Sequence, residues 1–125
     1  MTDVKVVDAS ALAAILFGEP GAEAVAAQIG EARLVAPTLL AFELANVCLV
    51  KCRRHPDQRE RLLAAFALRA RFAVEEVAVD CAQALDLAEA AGLTVYDASY
   101  LWLARRLGVP LVTLDKTLER AAAVR

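Results

Sequence analysis

Short β-branched runs alternating with alanine- and leucine-rich stretches constrain this chain more than any other feature of its sequence. "VKVV" (4–7) reads as a buried strand, and "ASALAAILF" (9–17) as a helix broken by "GEPG" (18–21). "AEAVAAQI" (22–29) reads as a second helix stopped by Gly30, and "RLVA" (33–36) as a strand ended by Pro37. "TLLAFELANVCLVKCRR" (38–54) predicts a long helix with Thr38 as its N-cap. "HP" (55–56) is a turn, with Pro56 suited to the first turn of a helix over "DQRERLLAAFALRAR" (57–71). "FAVEEVAV" (72–79) carries a strand, followed by helices over "CAQALDLAEAAG" (81–92) and "DASYLWLARRLG" (97–108). "PLVTL" (110–114) is a strand and "KTLERAAA" (116–123) a last helix. Strands that recur between helices imply βα units around a mostly parallel sheet. Such sheets bind ligands beyond the carboxyl ends of their strands.

A length of 125 residues suits one domain with a real core, spanning 1–125. The chain is 59% hydrophobic, but no apolar run approaches the ~18 residues of a membrane span. The start, "MTDVKVVDAS", carries Asp3 and no apolar h-region, so no signal peptide is expected. Cys48, Cys52 and Cys81 form no scaffold pattern and suit a reducing cytoplasm. Cys48 and Cys52, four apart on one helix face, are expected to pack as small apolar groups. A net charge of -2 excludes a general polycation. Lys51, Arg53, Arg54, Arg59, Arg61, Arg69 and Arg71 nevertheless face only Asp57 and Glu60 between 51 and 71. That basic stretch is either a phosphate-binding surface or a solvated helix face.

Four acids have the same address. Asp8 follows the first strand, Asp115 follows "PLVTL", and Asp97 opens "ASYLWLARRLG". Each of the three stands where a helix cap would stand, and capping alone would account for it. Glu43 lies in an otherwise apolar stretch, "LLAFELANV", with Leu39, Leu40, Phe42, Leu44 and Val47 predicting a largely buried helix. A charge there calls for a salt bridge, an exposed edge or a binding role. If all four meet at one sheet edge, they need a cation or protons. An all-oxygen set favours Mg²⁺ or Mn²⁺; without a close Cys/His set, zinc is not expected. Ser10, Thr113 and Asn46 share that address and could bind a metal-linked water or a phosphate. Thr113 as a plain β-former and Ser10 as a first-turn residue are the simpler readings.

"VVDASAL", "FELANV", "YDASYLWLA" and "LVTLDKTL", in that order, resemble the PIN-domain ribonucleases, and more narrowly the VapC toxins of toxin–antitoxin pairs. The resemblance covers nearly the whole chain. It implies an α/β/α sandwich with a central, mostly parallel sheet and a long helical hairpin. It implies that Asp8, Glu43, Asp97 and Asp115 form the acidic metal-binding set, assisted by Ser10 and Thr113. Members of that family continue past the last helix into a short further strand, which here is missing, shortened or formed by "AAVR". The activity implied is Mg²⁺- or Mn²⁺-dependent endonucleolytic cleavage of RNA by metal-activated water. Asp8, Asp97 and Asp115 chiefly ligate, and Glu43 ligates or orients the water. The same resemblance makes Lys51, Arg53 and Arg54 candidates for RNA contact. It implies a VapB-type antitoxin as partner, with a C2 homodimer as the default assembly. Leu49, Leu62, Leu63, Phe66 and Leu68 of the hairpin are candidates for a partner or dimer surface.

Two rivals compete with that reading. A phosphatase with Asp8 as covalent nucleophile would carry a second aspartate two residues on, where this chain has Ser10. A PIN-like fold kept as a non-catalytic protein-interaction module would have no need of four acids. Tyr96, Tyr100 and Trp102 flank Asp97 and are expected to sit mostly in the core, and His55 is expected to be a turn residue.

Overall fold

The computed structural model describes residues 3–124. Its elements run β1 (Val4–Val7), α1 (Ala9–Phe17), α2 (Ala22–Ile29), β2 (Arg33–Pro37), α3 (Leu40–Arg54), α4 (Arg59–Ala67), β3 (Glu75–Val77), α5 (Cys81–Ala91), α6 (Val95–Leu107), β4 (Leu111–Val112) and α7 (Lys116–Ala123). The four strands form one sheet in the order β3-β2-β1-β4. Every pairing is parallel: Val6 lies opposite Val35 on one side and Leu111 on the other, and Val35 opposite Glu75. Because all strands point the same way, their carboxyl ends share one edge. The residues after β1, β2 and β4 therefore arrive together, which is the placement that matters for function.

The central strand β1 supplies Val6 and Val7, both fully buried. Helix α6 packs on β1 and β2 with α5 and α7 against it, while α1 packs with α2, α3 and α4. Along α3, Leu40, Leu44 and Cys48 are buried at four-residue spacing, a single stripe turned inward. Leu12, Tyr100, Leu101, Leu103 and Leu118 complete the core. No helix among the described residues is long and apolar enough to cross a membrane.

Several elements depart from the sequence expectations. Thr38 does not cap α3; it is exposed in the turn after β2, and Leu39 holds the cap position without a side-chain bond. The second arm of the hairpin is not one helix over 57–71. It is a 3₁₀ turn (Pro56–Gln58), the nine-residue α4, and a second 3₁₀ stretch (Leu68–Phe72) that ends where Ala73 turns left-handed at φ 50°. The strand expected within 72–79 shortens to Glu75–Val77, and "PLVTL" shortens to Leu111–Val112, because only those residues find partners. Helix α6 begins at Val95, capped by Thr94, whose side chain accepts from the Asp97 amide. "AAVR" supplies no strand among the described residues: Ala121–Ala123 finish α7, Val124 is its C-cap, and Arg125 lies outside them.

The hairpin surface is also divided. Leu49, Leu63 and Leu68 are exposed, Leu62 is buried, and Phe66 is half-buried under the Arg69 guanidinium, 4.0 Å from its ring centre. Cys48 is buried, with its thiol donating to the Leu62 carbonyl, and Cys52 is half-buried beside it.

Candidate active site

Asp8 anchors the sheet edge. It follows β1 and is only 4% exposed, yet both carboxylate oxygens are occupied. Oδ1 accepts from the Ala11 amide at 3.0 Å and from the Ser10 hydroxyl at 2.8 Å; Oδ2 accepts from the Thr113 hydroxyl at 2.5 Å. The capping role is thus real, and it accounts for one of three bonds. Each hydroxyl is itself fixed from behind: the Leu114 amide donates to Ser10 and the Asp115 amide donates to Thr113, both at 3.0 Å. A hydroxyl has one proton to give, so Ser10 and Thr113, 3.3 Å apart, spend theirs on Asp8. Strand β4 delivers Thr113 and Asp115 to the same spot. Asp115 then caps α7 by accepting from the Leu118 amide at 2.9 Å.

Asp97 is not a cap. It lies inside the first turn of α6, and its own amide is capped by Thr94 at 3.1 Å. The Thr94 side chain also lies against its carboxyl group and favours the charged form. Glu43, in the first turn of α3, accepts from the Tyr100 hydroxyl at 2.5 Å. That bond ties α3 to α6 and aims the glutamate along the edge. The sequence predicts Tyr100 in the core, and its ring is indeed buried. The role of its hydroxyl is not predicted; the available signal is its position three after Asp97, on the same helix face.

Charge couples these groups. Burial pushes the Asp8 carboxyl above the ordinary range, against the pull of its three hydrogen bonds, and Asp97 adds repulsion. Burial also raises Glu43, and repulsion from Asp97 and Asp8 raises it further while the Tyr100 bond opposes. Asp97 is raised by burial and then by Asp115, against the pull of the Thr94 side chain. The Tyr100 phenol is pushed well above its usual range by burial and by Glu43. Each of the four acids therefore acts on, or is acted on by, another of the set, which caps scattered around a fold would not do. The side chains share an edge without closing into a cage: among the described residues, no three His, Cys, Asp or Glu side chains stand close enough to grip one ion. The lone pairs left over on Asp97, Glu43 and Asp115 all belong to hard carboxylate oxygens. They suit Mg²⁺ or Mn²⁺.

The remaining candidates separate. Asn46 is exposed on the wall of a cavity that Glu43 also lines. Lys51 is held away from solvent phosphate: its ammonium pairs with Glu19 at 3.0 Å and lies 5.5 Å from the Phe17 ring centre. Arg53 and Arg54 are exposed in the last turn of α3. His55 is an exposed turn residue. Phe42 and Tyr96, both expected inside, are 81% and 65% exposed. Among the described residues, no neighbouring element covers their faces of α3 and α6. Trp102 is half-buried, its indole N–H donating to Gln83.

A family model for the PIN domain matches residues 5–124. The chain is 35% identical over 118 residues to Ribonuclease VapC3 of Pyrobaculum aerophilum, covering 90% of each. The crystal structure of PAE2754 from Pyrobaculum aerophilum superposes with a TM-score of 0.65 at 23% identity, over 98% of this chain and 89% of that one. VapC20 of Mycobacterium tuberculosis, described as a Sarcin-Ricin loop cleaving toxin, superposes with a TM-score of 0.66 at 16% identity, over 94% of both. At these identities the two solved structures speak to the fold.

Proposed function

This chain belongs to the PIN-domain family, in its VapC branch, and from that premise we propose that it is a divalent-metal-dependent endoribonuclease, the toxin of a toxin–antitoxin pair. The observation that carries the reading is the acid edge: Asp8, Glu43 and Asp97 are each raised by burial and by a neighbouring acid, at the carboxyl ends of a parallel sheet. Asp97, Asp115 and Asp8, which do not close on one ion in the described structure, would draw together around Mg²⁺ or Mn²⁺, with Glu43 ligating or orienting the attacking water. When bound, the ion lowers the pKa of water and offsets charge on the phosphate.

The chain's own residues do the rest. Ser10, Thr113 and the Ala11 amide fix the Asp8 carboxylate in one orientation. Tyr100 fixes Glu43. Because these bonds exist ahead of substrate, Asp8 and Glu43 do not have to be ordered during the reaction. Arg53 and Arg54 contact phosphates of the RNA; they lie about 15 Å from Glu43 along α3, ten residues at the helical rise. A VapB-type antitoxin occludes the acidic groove, presenting a cation to the acids. The chain works in the cytoplasm as a homodimer, for which the exposed Leu49, Leu63 and Leu68 offer an apolar surface.

The test is calorimetric titration of Mg²⁺ or Mn²⁺ into wild type and Asp97→Asn, with RNA cleavage measured on the same samples. The expected result is binding by wild type, loss of binding in the variant, and a fall in cleavage of at least about a hundredfold, as the loss of several kcal/mol implies. Asp8→Asn should abolish cleavage and leave the fold intact. A folded wild type that binds no cation would make the aspartates caps, and the chain a non-catalytic interaction module.

A further inference from the structure

Two aromatic rings remain unexplained by the chemistry above. Phe42 and Tyr96 each immediately precede an acid of the edge, Glu43 and Asp97, and each lies at the start of its helix. They come from different elements, α3 and α6, yet both line one cavity of about 350 Å³. None of the described residues covers them, at 81% and 65% exposure, while Tyr100 of the same helix α6 is buried. We propose that Phe42 and Tyr96 form a stacking clamp for one unpaired nucleobase of the RNA, next to the phosphate that the acid edge addresses.

The occupant follows from what surrounds the rings. Leu39 and Val47 make the wall apolar, so the occupant has an apolar face. Glu43 forms the side toward the acids, so an anionic group is repelled there, whether a phosphate or an acidic peptide. A nucleobase meets both conditions: it is neutral and flat, and its polar atoms lie at its edge. Asn46, exposed and one helical turn beyond Phe42, offers an amide that can donate and accept at such an edge. Glu43 and Ala9, the residue after Asp8, both line the cavity, so a base held here brings its own backbone near the carboxylates. Only an unpaired strand can present a base in this way. The inference rests on the ribonuclease reading and adds a residue-level account of how the strand is placed.

Binding of a short single-stranded RNA to the full chain, with Ca²⁺ in place of Mg²⁺, tests it by fluorescence anisotropy. A second strand carries one abasic position, moved along the sequence. Phe42→Ala and Tyr96→Ala should each weaken binding by about five- to a hundredfold, and Phe42→Trp and Tyr96→Phe should retain it. At one abasic position the difference between wild type and the alanine variants should vanish. Both rings are exposed, so circular dichroism of the alanine variants should match wild type. If wild type binds the strand and the alanine variants bind it equally, the clamp is wrong while the ribonuclease reading stands. If those variants keep RNA affinity but lose a polypeptide that accompanies wild type, the cavity belongs to a protein partner and the clamp is equally wrong. If wild type binds no RNA, the parent reading falls and takes the clamp with it.

Discussion

The acid edge and the basic hairpin are both concentrations of charge, and the fold treats them in opposite ways. At the edge, Asp8 is buried, accepts three hydrogen bonds, and depends on hydroxyls that are themselves held by backbone amides. In the hairpin, Arg53 and Arg54 are exposed and Lys51 makes one ion pair. A buried charge costs folding energy unless its neighbours are arranged for it, so the edge fixes geometry across β1, β4, α3 and α6. A surface charge costs almost nothing and fixes little. The difference assigns chemistry to the edge and attraction to the hairpin.

The largest expected effect that would break this contrast concerns Tyr100. Its hydroxyl is the one donor found for Glu43 among the described residues, and it reaches across from α6. Tyr100→Phe keeps the buried ring and removes only that oxygen. Loss of such an orienting partner should lower cation affinity or cleavage by about 10- to 100-fold, with little change in Tm. Calorimetric cation affinity separates this from a purely structural role. A variant that loses stability but binds the cation as tightly as wild type would return Tyr100 to the core.

A smaller effect, confined to the edge, is a pH dependence with an unusual sign. Asp8, Glu43 and Asp97 all have carboxyls raised in the folded chain above their ordinary 3.8, 4.5 and 3.8. Between those values and the raised ones, the folded state holds more protons than the unfolded state. Their contribution to stability is therefore fully present below the ordinary values and is lost as pH rises through the raised ones. With chelator present, Tm should fall as pH rises from the ordinary carboxyl values through the raised ones, and added Mg²⁺ should restore it more at the upper end. Asp97→Asn should flatten the profile, because it removes one raised group and relieves two others. An identical slope in wild type and variant would mean that the acids do not act on one another. No such slope is expected from reversing hairpin arginines.

Much of this edge is legible in the amino-acid order alone. Asp8 and Asp115 follow strands in a βα pattern, and in a parallel sheet that is enough to put them on one edge. Thr113, two residues before Asp115, is at the edge with Asp8 as expected. Other features depend on contacts that the sequence does not display. Asp97 resembles a cap in the sequence because Val95 and Tyr96 read poorly as a helix start; Thr94 takes the cap position and leaves the aspartate inside the first turn. Phe42 reads as buried because its neighbours are apolar, but which face of a helix is covered depends on the elements packed against it, and nothing lies over Phe42. The pattern overstates the two short strands, β3 and β4, for the same reason: a strand ends where its partner ends. Lys51, Arg53 and Arg54 make one basic run in the sequence, and the helix turn separates them.

That separation yields the smallest effect, and the one that tests the hairpin most directly. Lys51 spends its charge on Glu19 and packs over Phe17, so it has little left for a phosphate. Arg53 and Arg54 make no ion pair among the described residues and face solvent. Reversing both arginines to glutamate should weaken RNA binding and reduce the slope of log affinity against log salt by about 0.7 for each phosphate no longer neutralised. Lys51→Ala should leave that slope unchanged and cost under about 1 kcal/mol of stability, since its pair with Glu19 is partly screened by solvent. If Lys51→Ala flattens the salt dependence as much as the arginine reversals do, the ion pair yields to RNA and the basic patch acts as one surface. If the arginine reversals leave binding unchanged, the hairpin is a solvated helix face. The attraction that brings RNA to a cluster of carboxylates would then have to come from the bound cation at the edge itself.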